Sequence, residues 1–348
     1  EKYIKFAFPY LMLNLAAALA FLCAAAMVYG YTNNLNLAAL ASLLNGKEKD
    51  PLIIGLSYLL LVIFGMKAGL FPLYFWLQHS YPYLSPPIAA LFAGTLTKVG
   101  VYVLMRIFIL VLPSPIYSVE VLLLIISGLT MLIGVFGAVS QTTIRGILSY
   151  HIISQVGYMV LAIGFYTSTA LAAGLLFTLH NILVKPSLFL FGGIINRIYR
   201  TDHLSQMGNL SNLAPVLSFC FLLQAFSLAG LPPLSGFWGK YLLILEGVKL
   251  EHYLAAIIAL ITSWLTLFSM IKIWNKAFWG EPKRLPKEEL VKVKPFLYPA
   301  LILVIAATLL GLGTQKAFEG ASLAAQQLFN KENYIQTILN LEGKGRPI

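Results

Sequence analysis

Acidic residues are scarce in this sequence. Of 348 residues, 13 are Asp or Glu against 24 Lys or Arg, a formal net charge of +11. None of the 13 acids falls deep within a long apolar run; Glu120 and Glu246 stand at run edges. Charge of either sign is thin, at 11% of residues against 59% hydrophobic, with a mean hydropathy of +0.82. A soluble domain could not cover so much apolar surface. Cysteine is nearly absent too. Cys23 and Cys220 lie in apolar runs outside any CxxC and read as buried bystanders, which excludes a disulfide framework and an iron–sulfur site. Short alternating segments of the β-barrel kind are missing. So are a nucleophile elbow, a phosphate loop and a metal-ligand cluster, so no catalytic residue, metal site or cofactor is assigned.

What is present is a series of apolar runs of about 18 residues or more, the mark of a polytopic helical membrane protein. Nine spans are predicted, near residues 5–29, 51–78, 86–111, 119–141, 148–166, 170–197, 212–247, 253–279 and 295–313. They define a transmembrane region over 1–313. The polar tail, 314–348, carries Leu323, Leu328, Ile335, Ile338 and Leu339 in the pattern of a short amphipathic helix lying on the membrane surface or on a partner. One face of the membrane collects Lys2, Lys5, Arg145, Arg197, Arg200, Lys276 and the run EPKRLPKEELVKVK; the other collects Lys47, Lys49, Lys249 and the tail. The positive-inside rule puts the first face in the cytoplasm. The basic charge therefore belongs to topology and lipid headgroups, not to nucleic acid. The chain opens on EKYIKFAFPYLMLNLAAALAFL, with no methionine and no signal peptide, and reads as a fragment or a processed chain.

The sequence echoes itself. AGLFPLYFW (68–76) and AGLPPLSGFW (229–238) share AGL, a following Pro-Leu and a closing Phe-Trp, and each sits within one of the two overlong spans. Gly69 and Pro72, and Gly230, Pro232 and Pro233, are predicted to break those spans. Paired breaks in corresponding halves mark a transporter built from repeats.

Four lysines fall inside predicted spans: Lys67, Lys98, Lys185 and Lys240. A lysine at a span centre costs about 2.5–3.5 kcal/mol on insertion scales, so four need a reason. Snorkelling serves a lysine within a turn or two of a span end. Lys98 lies 11 residues beyond Pro87, Lys67 and Lys185 read as similarly deep, and Lys240 follows a break that opens a cavity. With no carboxylate in reach, desolvation disfavours the charged form of a buried amine, and such a group can exchange protons near neutrality. His151, Gln155 and Tyr158 share one helix face, as do Thr178, Asn181 and Lys185, with His180 beside them. These groups can hold ordered water between the lysines; the alternative is interhelical hydrogen bonding that only binds the bundle together. A break beside a lysine gives it a hydrated cavity.

The segments FGMKAGLFPLYFWL, LFAGTLTKVGVYVLMR, LSYHIISQVGYM, HNILVKPSLFLFGG and LAGLPPLSGFWGKYLLI resemble the antiporter-like subunits shared by Mrp cation/proton antiporters and respiratory complex I. SYHIISQVGYM, and lysine rather than glutamate at 240, favour the MrpD-type branch of the Mrp antiporters. The resemblance implies a fold of fourteen helices with two inverted five-helix repeats, the first partial here and the second complete, each containing a broken helix. It implies a proton relay through Lys67, Lys98, His180, Lys185 and Lys240, which His151 joins on the residue reading. It also implies a glutamate partner for Lys67 on an earlier helix, expected to precede residue 1. The function implied is that of a proton-translocating subunit of a multisubunit Na+/H+ antiporter in a prokaryotic inner (plasma) membrane, a transporter subunit and not an enzyme, with other antiporter subunits, the lipid bilayer, protons and Na+ as partners. The alternative is a proton-pumping membrane-arm subunit of complex I or of a membrane-bound hydrogenase. A haem subunit using His151 and His180 fits badly, because a haem bundle wants paired histidines facing each other. An organic-solute carrier would gather its polar groups around one cavity.

Overall fold

The computed structural model describes residues 4–113, 116–281 and 294–344, with side chains over 8–113, 116–281 and 297–339. Lys2, the side chain of Lys5 and most of the run 281–294 lie outside the described residues. Among the described residues the helices are joined by turns and loops, and the one β contact is an isolated antiparallel bridge, Thr143 to His203.

In chain order the helices are α1 Ile4–Thr32, α2 Leu37–Leu43, α3 Pro51–Ala68, α4 Phe75–Ser80, α5 Pro86–Met105, α6 Tyr117–Ser140, α7 Ile144–Gly164, α8 Ser168–Tyr199, α9 Leu210–Leu213, α10 Pro215–Ala229, α11 Ser235–Lys249, α12 Tyr253–Ile273, α13 Lys294–Leu312, α14 Thr314–Phe329 and α15 Lys331–Lys344. Their starts obey ordinary capping. Asp50 accepts the Leu52 N–H ahead of Pro51, and Thr143 and Thr167 cap α7 and α8. A hydrogen bond from Tyr31 is the main cause holding the Asp50 carboxyl below the usual range, with a smaller contribution from Lys47.

Seven helices among the described residues are long and apolar enough to cross a membrane: α1, α3, α5, α6, α7, α8 and α12. The nine-span reading adds α13 and the pair α10–α11. That pair is cut into two helices of 15 residues, each too short to cross alone. The overlong span 51–78 is likewise divided into α3 and α4. α7 is buried over nearly its whole length and α8 over most of it, whereas α1 lies at the edge. Cys23, on α1, is exposed, against the expectation of burial, while Cys220 is buried.

The tail is helical, and it packs on the chain itself. α14 turns 81° away from α13 and packs along α8, while α15 packs on α2. The face that α14 buries carries Ala321 and Ala325, one turn apart, and Leu323 points outward. Small residues let a helix approach α8 closely; of the predicted apolar positions Leu323 is exposed, while Leu328, Ile335, Ile338 and Leu339 are half-buried. Burial pushes the Lys331 amine down from its usual range, with Glu48 opposing.

The two halves match beyond the echoed motif. The helix that follows each broken pair ends in a π-helical turn, Arg106–Val111 after α5 and Trp274–Phe278 after α12.

Candidate functional site

The two breaks are built alike at the backbone. α3 ends on Gly69 (φ 81°) and α10 on Gly230 (φ 91°), a left-handed conformation that costs a residue with a Cβ about 1–2 kcal/mol. The Gly69 N–H reaches the carbonyls of Gly65 and Met66, and the Leu70 N–H reaches that of Gly65. In the second break Gly230 and Leu231 do the same with Phe226 and Ser227. These are Schellman closures. A cis bond follows in each, Phe71–Pro72 and Pro232–Pro233.

The four lysines divide three to one. Lys98, Lys185 and Lys240 are 4%, 0% and 3% exposed, too deep for snorkelling. Lys67, in the last turn of α3, is half-buried and makes no hydrogen bond or ion pair among the described residues. A helical residue one turn from the break lies on whichever face the helix presents there, and that face of α3 is not covered by the described chain.

Each buried lysine has a different environment. The Lys98 Nζ donates to its own helix at Ala93 O, 2.6 Å away. The Lys240 Nζ donates to Leu228 O (2.9 Å) and Ala229 O (3.1 Å), the last carbonyls of α10. There the helix dipole favours a cation. It also lies 5.0 Å from the centre of the Tyr158 ring, within cation–π range. The Lys185 Nζ, on α8 beside Pro186, has no hydrogen-bond partner among the described residues. Lys185 lies within electrostatic range of both Lys98 and Lys240, and His180 within range of all three. The three buried lysines are carried by α5, α8 and α11, and α8 packs against both of the others.

The histidines link this row to neighbouring helices. The His180 Nδ1 shares a 2.8 Å hydrogen bond with Ser235 Oγ at the start of α11, and Ser235 Oγ lies 3.2 Å from Ser227 Oγ on α10. Gly236 is required here: a Cβ would stand 2.8 Å from the His180 ring and 1.8 Å from Ser227 O. The His151 Nε2 bonds Ser269 Oγ on α12 at 2.6 Å. The Tyr158 hydroxyl donates to Ala259 O (2.5 Å) and shares a bond with Ser263 (2.8 Å). His180 Nε2, His151 Nδ1, Asn181 Oδ1, Gln155 Oε1 and Thr97 Oγ1 are buried without a protein partner among the described residues. Buried polar atoms of this kind are sites for ordered water. A cavity of about 260 Å3 adjoins Lys240, bounded by Gly230, Phe237, Tyr241, Ser263 and Trp264.

Ser227, Ser235, Ser263 and Ser269 were missed by sequence reasoning. Serine is common in membrane helices, so only the second motif's extra pair Ser235-Gly236, where the first has Tyr74, offered a signal. Among the described residues no three His, Cys, Asp or Glu side chains gather in a metal-binding arrangement.

Comparison with known proteins agrees with this fold. Residues 2–266 match the family described as NADH:quinone oxidoreductase/Mrp antiporter, transmembrane. The chain is 44% identical over 332 residues to the D subunit of a Na(+)/H(+) antiporter from Alkalihalophilus pseudofirmus, covering 95% of this chain and 67% of that protein. Its fold is similar to that of a chain of the Mrp complex from Dietzia sp. (31% identity, TM-score 0.89, 97% of this chain and 70% of the other). It is also similar in fold to a chain of respiratory complex I from Thermus thermophilus (23% identity, TM-score 0.82, 94% and 70%).

Proposed function

The chain belongs to the NADH:quinone oxidoreductase/Mrp antiporter transmembrane family, and from that premise we propose that it is a proton-translocating membrane subunit of a multisubunit Na+/H+ antiporter in a prokaryotic plasma membrane. The observation that carries the reading is the set Lys98, Lys185 and Lys240, buried on three helices of which α8 packs against the other two, with His180 buried on α8. Such a set has a use only if its members exchange protons, because three ammonium groups without counterions repel one another at close quarters. A proton arriving at one lysine favours release from the next. Ordered water beside His180, Asn181 and Thr97 bridges gaps too long for direct transfer.

Lys240 adds a link to structure. Its ammonium closes the C-terminal carbonyls of α10, and neutralising it weakens two charge-assisted hydrogen bonds. The protonation state of Lys240 therefore biases the geometry of the second break. The exposed flank of Lys67 is where a carboxylate from a neighbouring helix would reach it. Residues 1–313 form the transmembrane body of this subunit and 314–348 a polar tail.

The redox-pump alternative is less favoured. Identity to the antiporter protein is 44%, while the likeness to the complex I chain, at 23%, carries the fold alone. The test is sodium-dependent proton flux in everted vesicles carrying the full-length gene in its operon, for wild type and Lys240→Ala. Loss of flux with the complex assembled supports the relay. Normal flux in the variant overturns it. Pumping driven by an electron donor, without a sodium response, would install the alternative.

A further inference from the structure

The two π-helical turns are fastened from different places. The second, Trp274–Phe278 after α12, is held by the segment just ahead of it in the fold: Ser211 Oγ donates to Phe278 O at 2.8 Å, and Phe221 of α10 stacks on Phe278. The first, Arg106–Val111 after α5, is held from the far end of the chain. Arg106 Nη2 donates to the Tyr334 hydroxyl of α15 at 3.1 Å, and the Tyr334 ring centre lies 5.5 Å from the guanidinium carbon. Arg106 Nη1 donates to Tyr102 of α5 itself at 3.0 Å. The Lys331 ammonium donates at 2.6 Å to the carbonyl of Leu112, the residue that closes the turn. Phe329, at the end of α14, sets its ring edge-on to Tyr166 at 5.2 Å. α14 and α2 both pack on the turn, and α15 packs on α2. Apolar burial alone would hold α14 on α8; the polar contacts of the tail are placed on the turn instead.

The helix that ends in this turn carries Lys98, about 12 Å along the axis from Arg106. The Lys98 Nζ bonds only a carbonyl of its own helix, Ala93 O, so no hydrogen bond from another helix among the described residues fixes it. Its place relative to Lys185 is set by how α5 sits against α8, in rotation and in axial register. A helix carries such a shift as a rigid unit, and π-turns are rare and occur often at functional sites. We propose that the tail is a positioning strap: Lys331 and Tyr334, acting through Leu112 and Arg106, hold the π-turn and so fix the register of α5 that sets Lys98 against α8. The strap rests on the reading of the buried lysines as a proton relay. Lys331 and Tyr334 are positioning residues, since neither touches a buried lysine or histidine.

The experiment reads sodium-dependent proton flux per assembled complex, in everted vesicles carrying the full-length gene in its operon, beside amide hydrogen exchange over residues 106–112 of the purified complex. Tyr334→Ala should lower maximal flux roughly tenfold, within the loss that a displacement of about an ångström brings. It should leave the sodium concentration at half-maximal flux unchanged and speed exchange over the turn. Tyr334→Phe keeps the ring over the guanidinium and should return flux to within about threefold of wild type. Normal flux per complex in Tyr334→Ala, with flux lost in Lys98→Ala, overturns the strap and leaves the relay standing; the tail then only stabilises the fold. Normal flux in both variants removes the relay, and the strap with it. Lowered flux with unchanged exchange over 106–112 also overturns the strap. If Tyr334→Ala complexes fail to assemble, Lys331→Gln, which loses the bond to Leu112 O, is read by the same outcomes.

Discussion

The two broken helices share a backbone and differ in what closes it. In the first, the indole of Trp76 donates to Met66 O at 2.9 Å, and Thr130 on α6 accepts the Phe71 N–H at 3.0 Å. The closure is neutral, and Lys67 stands beside it half-buried without taking part. In the second, the corresponding indole, Trp238 Nε1, has no partner among the described residues. The carbonyl end is held instead by the Lys240 ammonium. One lysine precedes its break and the other follows it. The same turn has thus been finished once with a fixed donor and once with a titratable one. Only the second break can feel the protonation state of its lysine.

The largest expected effect separates the two lysines. Lys240→Ala should lower sodium-dependent proton flux by about 100-fold or more, the scale of a lost proton-transfer group. It should also lower the stability of the assembled complex by about 1–3 kcal/mol, because two buried carbonyls lose their donor. Lys67→Ala should lower flux as well, yet shift stability by no more than about 0.5 kcal/mol, as a half-exposed residue without partners does. Thermal unfolding beside vesicle flux reads both, and a stability loss at Lys67 matching that at Lys240 would break the comparison.

Ser235→Ala should come next. It removes the hydroxyl that orients His180 and should reduce flux about five- to tenfold, with folding kept, in line with one buried hydrogen bond. Unchanged flux would leave Ser235 as interhelical glue. Gly69→Ala and Gly230→Ala should each cost about 1–2 kcal/mol through the left-handed backbone. Only Gly230→Ala should also slow flux, because its Cβ would lie 3.0 Å from Lys240 Cδ, whereas that of Gly69 would meet Leu77 at 3.3 Å. The smallest contrast lies in the indoles. Trp76→Phe should cost about 1 kcal/mol by removing one of the two donors to Met66 O, which keeps the Gly69 N–H, and Trp238→Phe, which loses no hydrogen bond among the described residues, about 0.5 kcal/mol or less. Equal costs would mean that the two closures are not distinct.

Much of this was legible before the structure. The apolar runs located the crossings, and the glycines and prolines of the echoed motif located both breaks, because those residues have few other uses in mid-membrane. Burial of Lys98 and Lys185 followed from their distance to span ends; Lys240 was argued from the break it follows, not from its position. The divided environment of the lysines was not legible. Lys67 and Lys240 look equivalent as letters near a break, and only helix rotation decides that one faces carbonyls and the other an uncovered flank. The bond from His180 to Ser235 joins residues 55 positions apart, a pairing that no local pattern reports. The π-turns at Arg106–Val111 and Trp274–Phe278 leave no mark in hydrophobic periodicity. Ala321 and Ala325 of α14 were missed as buried positions, and Leu323 was placed on the wrong side, because alanine carries little weight in an amphipathic pattern.

Lys185 offers the most direct test of the relay. It is fully buried, and its Nζ has no partner among the described residues, so replacing it with an apolar residue of similar length removes chemistry without removing a contact. The measurement is sodium-dependent proton flux of Lys185→Met in everted vesicles carrying the complete assembly. The account predicts a complex as stable as wild type, or more so, with flux reduced to background. A complex that keeps its flux would contradict the claim that protons travel along the buried lysines.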